Sequence, residues 1–76
     1  MKKIVVIQSG WVVIGNVTRV GDITHIDNAY VIRKWGTTSG LGEIAIKGPT
    51  PETILDYAGV VEVMNHAVIM SIACDV

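Results

Sequence analysis

Along the chain, short apolar runs are punctuated by Gly, Asn and Asp residues. Ile4-Val5-Val6-Ile7, Trp11-Val12-Val13-Ile14, Ala29 to Ile32 and Ala67-Val68-Ile69-Met70 are such runs, each bounded by turn-forming residues, which is the pattern of strands. The pattern predicts a first strand over Lys3 to Gln8, a turn at Ser9-Gly10 and a second strand from Trp11 to Val20. Gly15-Asn16 falls inside that second run, where a glycine packs no side chain and a bulge or bend is expected. Gly21-Asp22 closes a hairpin onto a third strand, Ile23 to Ile26. Asp27-Asn28 is expected to break the chain before a fourth strand, Ala29 to Lys34. At the carboxyl end, Val60 to Met64 and Ala67 to Cys74 read as a hairpin around Asn65-His66.

Between these strands the pattern changes. Gly40 to Lys47 fits a short helix with Ser39 as N-cap, Gly48 past its end and Pro49 stopping it. Ile44-Ala45-Ile46 leaves a strand as the alternative there. Thr50-Pro51-Glu52-Thr53 reads as a second helical start, Thr50 capping and Pro51 in the first position, ending at Gly59. The expected fold is therefore mainly all-β and a single domain over residues 1–76. It is a small SH3-like barrel or antiparallel meander of about six strands, with a helical or irregular insertion around residues 40–58.

Composition strengthens the β reading. Twelve Val and eleven Ile stand against two Leu and no Phe, and β-branched side chains favour pleated strands over helices. Three runs are apolar on both faces, which in so thin a domain implies cover from outside, and a homo-oligomer is the simplest cover. Six basic and seven acidic residues give a net charge of −1, so a generally basic nucleic-acid coat is excluded. The charges are unevenly placed: residues 1–48 hold all six bases and three acids, and residues 49–76 hold four acids and no base. That polarity suits head-to-tail contact between subunits or an anion site on the basic part.

Met1-Lys2-Lys3 before Ile4 to Ile7 imitates a secretion signal, but the apolar run stops at Gln8-Ser9 and no cleavage-site pattern follows, so a strand is expected. No apolar run approaches the ~20 residues of a membrane span. With Cys74 alone and two His in other elements, neither an internal disulfide nor a metal site is expected. The expected setting is cytoplasmic, without cofactor or membrane partner. His25 and Asp27 could form a base and its orienting acid, but no serine sits in a nucleophile-elbow context, and the expectation is a protein that is not an enzyme.

One segment concentrates the chemistry of anion recognition. Arg33 and Lys34 supply a planar donor fork and a point charge. Gly36 and Gly40 let backbone amides approach a phosphate, Thr37, Thr38 and Ser39 add hydroxyls, and Trp35 and Tyr30 offer flat surfaces to a base. The spacing is neither that of a Walker A loop nor that of a dinucleotide fingerprint. A glycine-rich surface turn with solvated cations accounts for the same residues.

Ile32 to Thr37, then Gly40-Leu41-Gly42-Glu43, then Lys47-Gly48-Pro49 and Thr53-Ile54-Leu55-Asp56, resemble a family of short uncharacterised bacteriophage and prophage proteins. The resemblance implies a phage protein working in the host cytoplasm and brings no activity with it. Three functions follow as expectations. The first is an oligomer that sequesters a phosphate-bearing small nucleotide, such as an immune second messenger, without turnover. The second is a structural or protein-interaction module of a phage. The third is a single-strand nucleic-acid accessory protein, disfavoured by the near-neutral charge.

Overall fold

The computed structural model describes residues 2–37 and 40–75. Five strands form one antiparallel sheet: β1 (Lys2–Ile7), β2 (Trp11–Val20), β3 (Ile23–Lys34), β4 (Ile54–Met64) and β5 (Val68–Ala73), in the order β4-β3-β2-β1-β5. Among the described residues a single α-helix, α1 (Leu41–Lys47), lies between β3 and β4. The protein is thus mainly β, as its Val and Ile content requires.

The first two hairpins lie where the turn residues put them. Ser9 and Gly10 turn at positive φ (70° and 83°), and Gly21 follows at 60°. The bend at Gly15 is also present, as a register shift between Ile14 and Asn16 against β3. It does more than interrupt the ladder. A Cβ at Gly15 would stand 2.7 Å from Ile26 Cγ2 and 3.2 Å from the Ala29 Cα, so β2 and β3 approach here as only a glycine permits.

Three expectations need correction. The third and fourth stretches are one strand, β3: Asn28 adopts a left-handed φ of 49° and the chain kinks without leaving the sheet. Asn tolerates that conformation, so Asp27-Asn28 makes a bulge and not a break. The helix expected from Thr50 is a single turn closed by the Thr53 amide on the Thr50 carbonyl, and strand resumes at Ile54. There the outer edge of β3 offers unpaired backbone groups, and pairing with them outweighs a weak local helical preference. The insertion between β3 and β4 accordingly ends at residue 53 rather than 58, with α-helix over Leu41–Lys47.

The carboxyl-terminal hairpin is the third. β4 and β5 lie on opposite edges of the sheet, joined by one 3₁₀ turn, Asn65–Ala67. Asn65 is held at the β2–β3 turn: its amide donates to the Asp22 carbonyl (2.9 Å), its Nδ2 to the Gly21 carbonyl (3.0 Å), and its Oδ1 accepts from Thr24 Oγ1 (2.6 Å). In a flat sheet the two edges would be roughly 19 Å apart, four strand spacings. A connection this short reaches about 14 Å. The sheet must therefore curl until its edges approach, and the bends at Gly15 and Asn28 allow it to. The result is barrel-like, with the ladder open between β4 and β5.

Curling gives the sheet two buried sides. On one, α1 sets Ile44 and Ala45 against Ile4, Val12, Ile14 and Ile32. On the other, inside the curl, Val5, Val13, Ile26 and Ala29 pack with Val61 and Val63 from one edge and Val68 from the other. The two-faced runs in β1 and β2 are thus covered within one chain: Ile4, Val5, Val12, Val13 and Ile14 are all buried. Trp11 of the second run and Ile69 and Met70 of the third stay exposed. Among the described residues, no helix is long and apolar enough to cross a membrane.

Candidate functional site

The segment singled out by its chemistry does not converge on a cavity. Arg33 donates from Nε to Asp56 Oδ2 (2.8 Å) and from Nη2 to Oδ1 (3.4 Å), so its fork is already engaged by β4. Lys34 reaches instead toward Glu52, 4.0 Å away on the turn before β4. Tyr30 packs edge-on against Tyr57, ring centroids 5.1 Å apart, beside Ile14 and Leu55 on the helix side. Arg33 lines a different cleft with Trp11, Val31 and Asp56, so Tyr30 and Arg33 make no common stacking platform.

The backbone after β3 is bolted down. Thr53 Oγ1 donates to the Trp35 carbonyl (2.6 Å), and Thr50 Oγ1 to the Gly36 carbonyl (2.7 Å). Gly36, at φ 64°, lies so close to this turn that a Cβ would meet the Glu52 carbonyl carbon at 2.4 Å. Thr37 Oγ1 donates to the Gly40 carbonyl (2.8 Å), which shapes the entry to α1. Trp35, about half exposed, has its ring beside Gly40. Thr38 and Ser39 lie outside the described residues. The strand end at Trp35-Gly36 is thus held to the turn by the hydroxyls of Thr50 and Thr53, and the Thr37 hydroxyl is spent on Gly40.

Elsewhere the structure assembles a site that sequence reading missed. Inside the curl, Lys3 of β1 and Arg19 of β2 line a cleft of about 340 Å³ with Ser71 of β5, Thr24 of β3 and the walls Val5, Val17 and Val68. Sixteen positions separate the two cations in sequence. β1 places Lys3 on the same side as Val5, and the two-residue alternation of β2 puts Val17 and Arg19 on the side of Val13, which is paired with Val5. No carboxylate lines the cleft, and among the described residues neither cation forms an ion pair. The Thr24 hydroxyl is committed to Asn65, so it presents lone pairs only, whereas the Ser71 hydroxyl is free to turn. Two cations, one free hydroxyl and apolar walls suit an anion attached to an apolar or sugar-like body.

No family model matches the chain, and no curated protein matches it.

The remaining reactive groups are dispersed. His25 Nδ1 faces Glu62 of β4 at 3.4 Å rather than Asp27. Among the described residues there is no cluster of three or more His, Cys, Asp or Glu that could hold a metal. Cys74 is half-buried against the helix-side core. Burial pushes its thiol above the ordinary range, with Lys2 pulling more weakly the other way. Because the thiolate is the nucleophile, reaction with a disulfide reagent at pH 8 is expected to be several-fold slower in the folded protein than in urea. The folded rate should keep rising as pH passes through the usual thiol range; equal rates in both states would contradict a desolvated thiol.

Proposed function

We propose that this protein binds a small phosphate-bearing ligand of the nucleotide class in the cleft inside the curled sheet, and holds it without turnover. One observation carries the reading: Lys3 and Arg19, brought together only by the fold, face one cleft with no acid to neutralise them. Leaving two cations uncompensated beside a partly apolar wall is unfavourable, and an anion relieves it. Arg19 supplies paired donors to phosphate oxygens and Lys3 a point charge, while Ser71 can add a third donor. The cleft volume, about 340 Å³, lies at the small end of ligand pockets and suits a phosphate with its sugar. No general base faces that position, which favours holding over hydrolysis. In the phage setting that the sequence resemblance implies, such a protein would keep a nucleotide signal from its receptor in the host cytoplasm.

Calorimetry against a panel of mononucleotides and cyclic di- and trinucleotides tests this, with chromatography of the recovered ligand. At least one is expected to bind and to be recovered unchanged. Each charge-assisted contact contributes about 1.5–3 kcal/mol, so a Lys3→Ala, Arg19→Ala double variant should bind roughly 100-fold or more weakly. Arg33→Ala, whose fork is already engaged, should change affinity less than about 3-fold. Binding lost with Arg33 and Lys34 but kept without Lys3 and Arg19 would move the ligand to the 33–37 segment. No binding by any member of the panel to folded protein would end the reading altogether.

A further inference from the structure

The cleft of Lys3 and Arg19 also holds a polar group whose hydrogen-bonding sense is fixed by the fold. Thr24 is only 2% exposed and lines the cleft beside Arg19, its direct cross-strand partner. Its hydroxyl donates to Asn65 Oδ1 at 2.6 Å. Asn65 is not free to reverse that bond. Its Nδ2 donates to the Gly21 carbonyl at 3.0 Å and its backbone amide to the Asp22 carbonyl at 2.9 Å. Flipping the side-chain amide would set its oxygen against the Gly21 carbonyl oxygen, two acceptors with no proton between them. The single proton of the Thr24 hydroxyl is therefore committed, and its remaining capacity is to accept.

We infer that Thr24 accepts a sugar hydroxyl of the ligand, so that the protein selects a ribose phosphate over a deoxy-sugar phosphate. The inference rests on the ligand reading above and narrows the class of ligand that the cleft takes. A phosphate oxygen and the Thr24 oxygen both only accept, and they repel. The phosphate is accordingly turned toward Lys3, Arg19 and Ser71, all of which can donate. A ligand O–H meets the opposite situation at Thr24, where lone pairs stand ready. Reach agrees with this division: side chains of directly opposed strand residues start about 4.5–5.5 Å apart, so a phosphate on Arg19 and a donor on Thr24 fall within one sugar phosphate. In a nucleotide the donors nearest the phosphate are the sugar hydroxyls, and the base lies beyond them. Burial gives the choice its size. A ligand seated over Thr24 excludes water from it, and one without a donor leaves a buried acceptor unsatisfied.

Paired calorimetric titrations test it, each 5′-mononucleotide against its 2′,3′-dideoxy counterpart, in the unsubstituted protein and in Thr24→Ser and Thr24→Val. The ribonucleotide is expected to bind at least about 10-fold more tightly than the dideoxy form. Thr24→Ser keeps the acceptor and should keep that ratio. Thr24→Val removes it and should bring the ratio below about 3-fold, and because the ratio compares two ligands on one protein, a general loss of stability does not imitate it. Asn65→Ala releases the Thr24 proton and should narrow the ratio likewise, which preserves the test if Thr24→Val does not fold. Equal affinity for the two forms overturns the inference and leaves the ligand reading standing. So does a ratio unchanged in Thr24→Val, or binding confined to cyclic di- and trinucleotides. Only failure of the whole nucleotide panel ends both.

Discussion

Gly36→Ala is expected to destabilise the protein by about 3 kcal/mol or more, a combination of left-handed backbone strain and overpacking. The strain arises from φ 64°, which an L side chain adopts at a cost of about 1–2 kcal/mol. The overpacking arises because the new methyl would sit 2.4 Å from the Glu52 carbonyl carbon and 2.6 Å from the Thr53 nitrogen. Both are backbone atoms of a turn tied back to Trp35 and Gly36 by the Thr50 and Thr53 hydroxyls, so neither strand end nor turn can yield cheaply. Gly59→Ala is the matched control: Gly59 has a similar φ of 76° but open space around its Cα, and should lose only the backbone part. With a urea slope of roughly 1 kcal/mol/M for a domain this small, the midpoints of the two variants should differ by about 1–2 M. Equal midpoints would show that residues 35–37 are not pinned to the 50–53 turn.

Ile44→Ala carries the other large effect. α1 has seven residues, too few to persist on its own helical preference, so tertiary burial holds it. Ile44 and Ala45 supply that burial, both fully enclosed against Ile4, Val12, Ile14 and Ile32. Truncating such a side chain removes its transfer energy and leaves a cavity, together about 2–5 kcal/mol. A domain of 76 residues has about 4–11 kcal/mol of total stability, so much of it would go. Ile46→Ala, two residues on and 60% exposed, should change the midpoint by less than about 0.5 kcal/mol. The pair also separates the two conformations open to Ile44-Ala45-Ile46. A strand would put both isoleucines on one face with similar effects, whereas the helix makes them unequal.

The candidate site was legible only as residue types. Arg33, Lys34, Trp35 and the glycine-threonine stretch have the composition of an anion cradle, yet their partners turn out to be Asp56, Glu52, Thr50 and Thr53. A composition cannot say which hydroxyl is already spent on a carbonyl fourteen or eighteen residues away. Lys3 and Arg19 show the converse. Each looks like an ordinary strand cation, and no spacing rule joins them; the register of β1 on β2 and the curl of the sheet do. The uneven charge along the chain was the one available hint, since it left the amino-terminal half with more bases than acids to pair them.

Val and Ile in great excess, with turn residues between short runs, determined a β protein and the positions of its first two hairpins, because β-branching and turn chemistry act within a few residues. Apolar residues on both faces of β1 and β2 likewise required cover on both sides. Which cover it would be, and where the last strand would pair, were decided by the tertiary structure. Asn65 is drawn to the carbonyls of Gly21 and Asp22 and to Thr24, more than forty residues back, and so the chain crosses to the far edge instead of turning into a hairpin. That crossing curls the sheet, encloses Val5 and Val13, and sets Val68 and Ser71 of β5 beside Lys3 and Arg19. Contacts between residues so distant in sequence leave no local pattern, because each satisfies a backbone or apolar requirement that several other partners could have met.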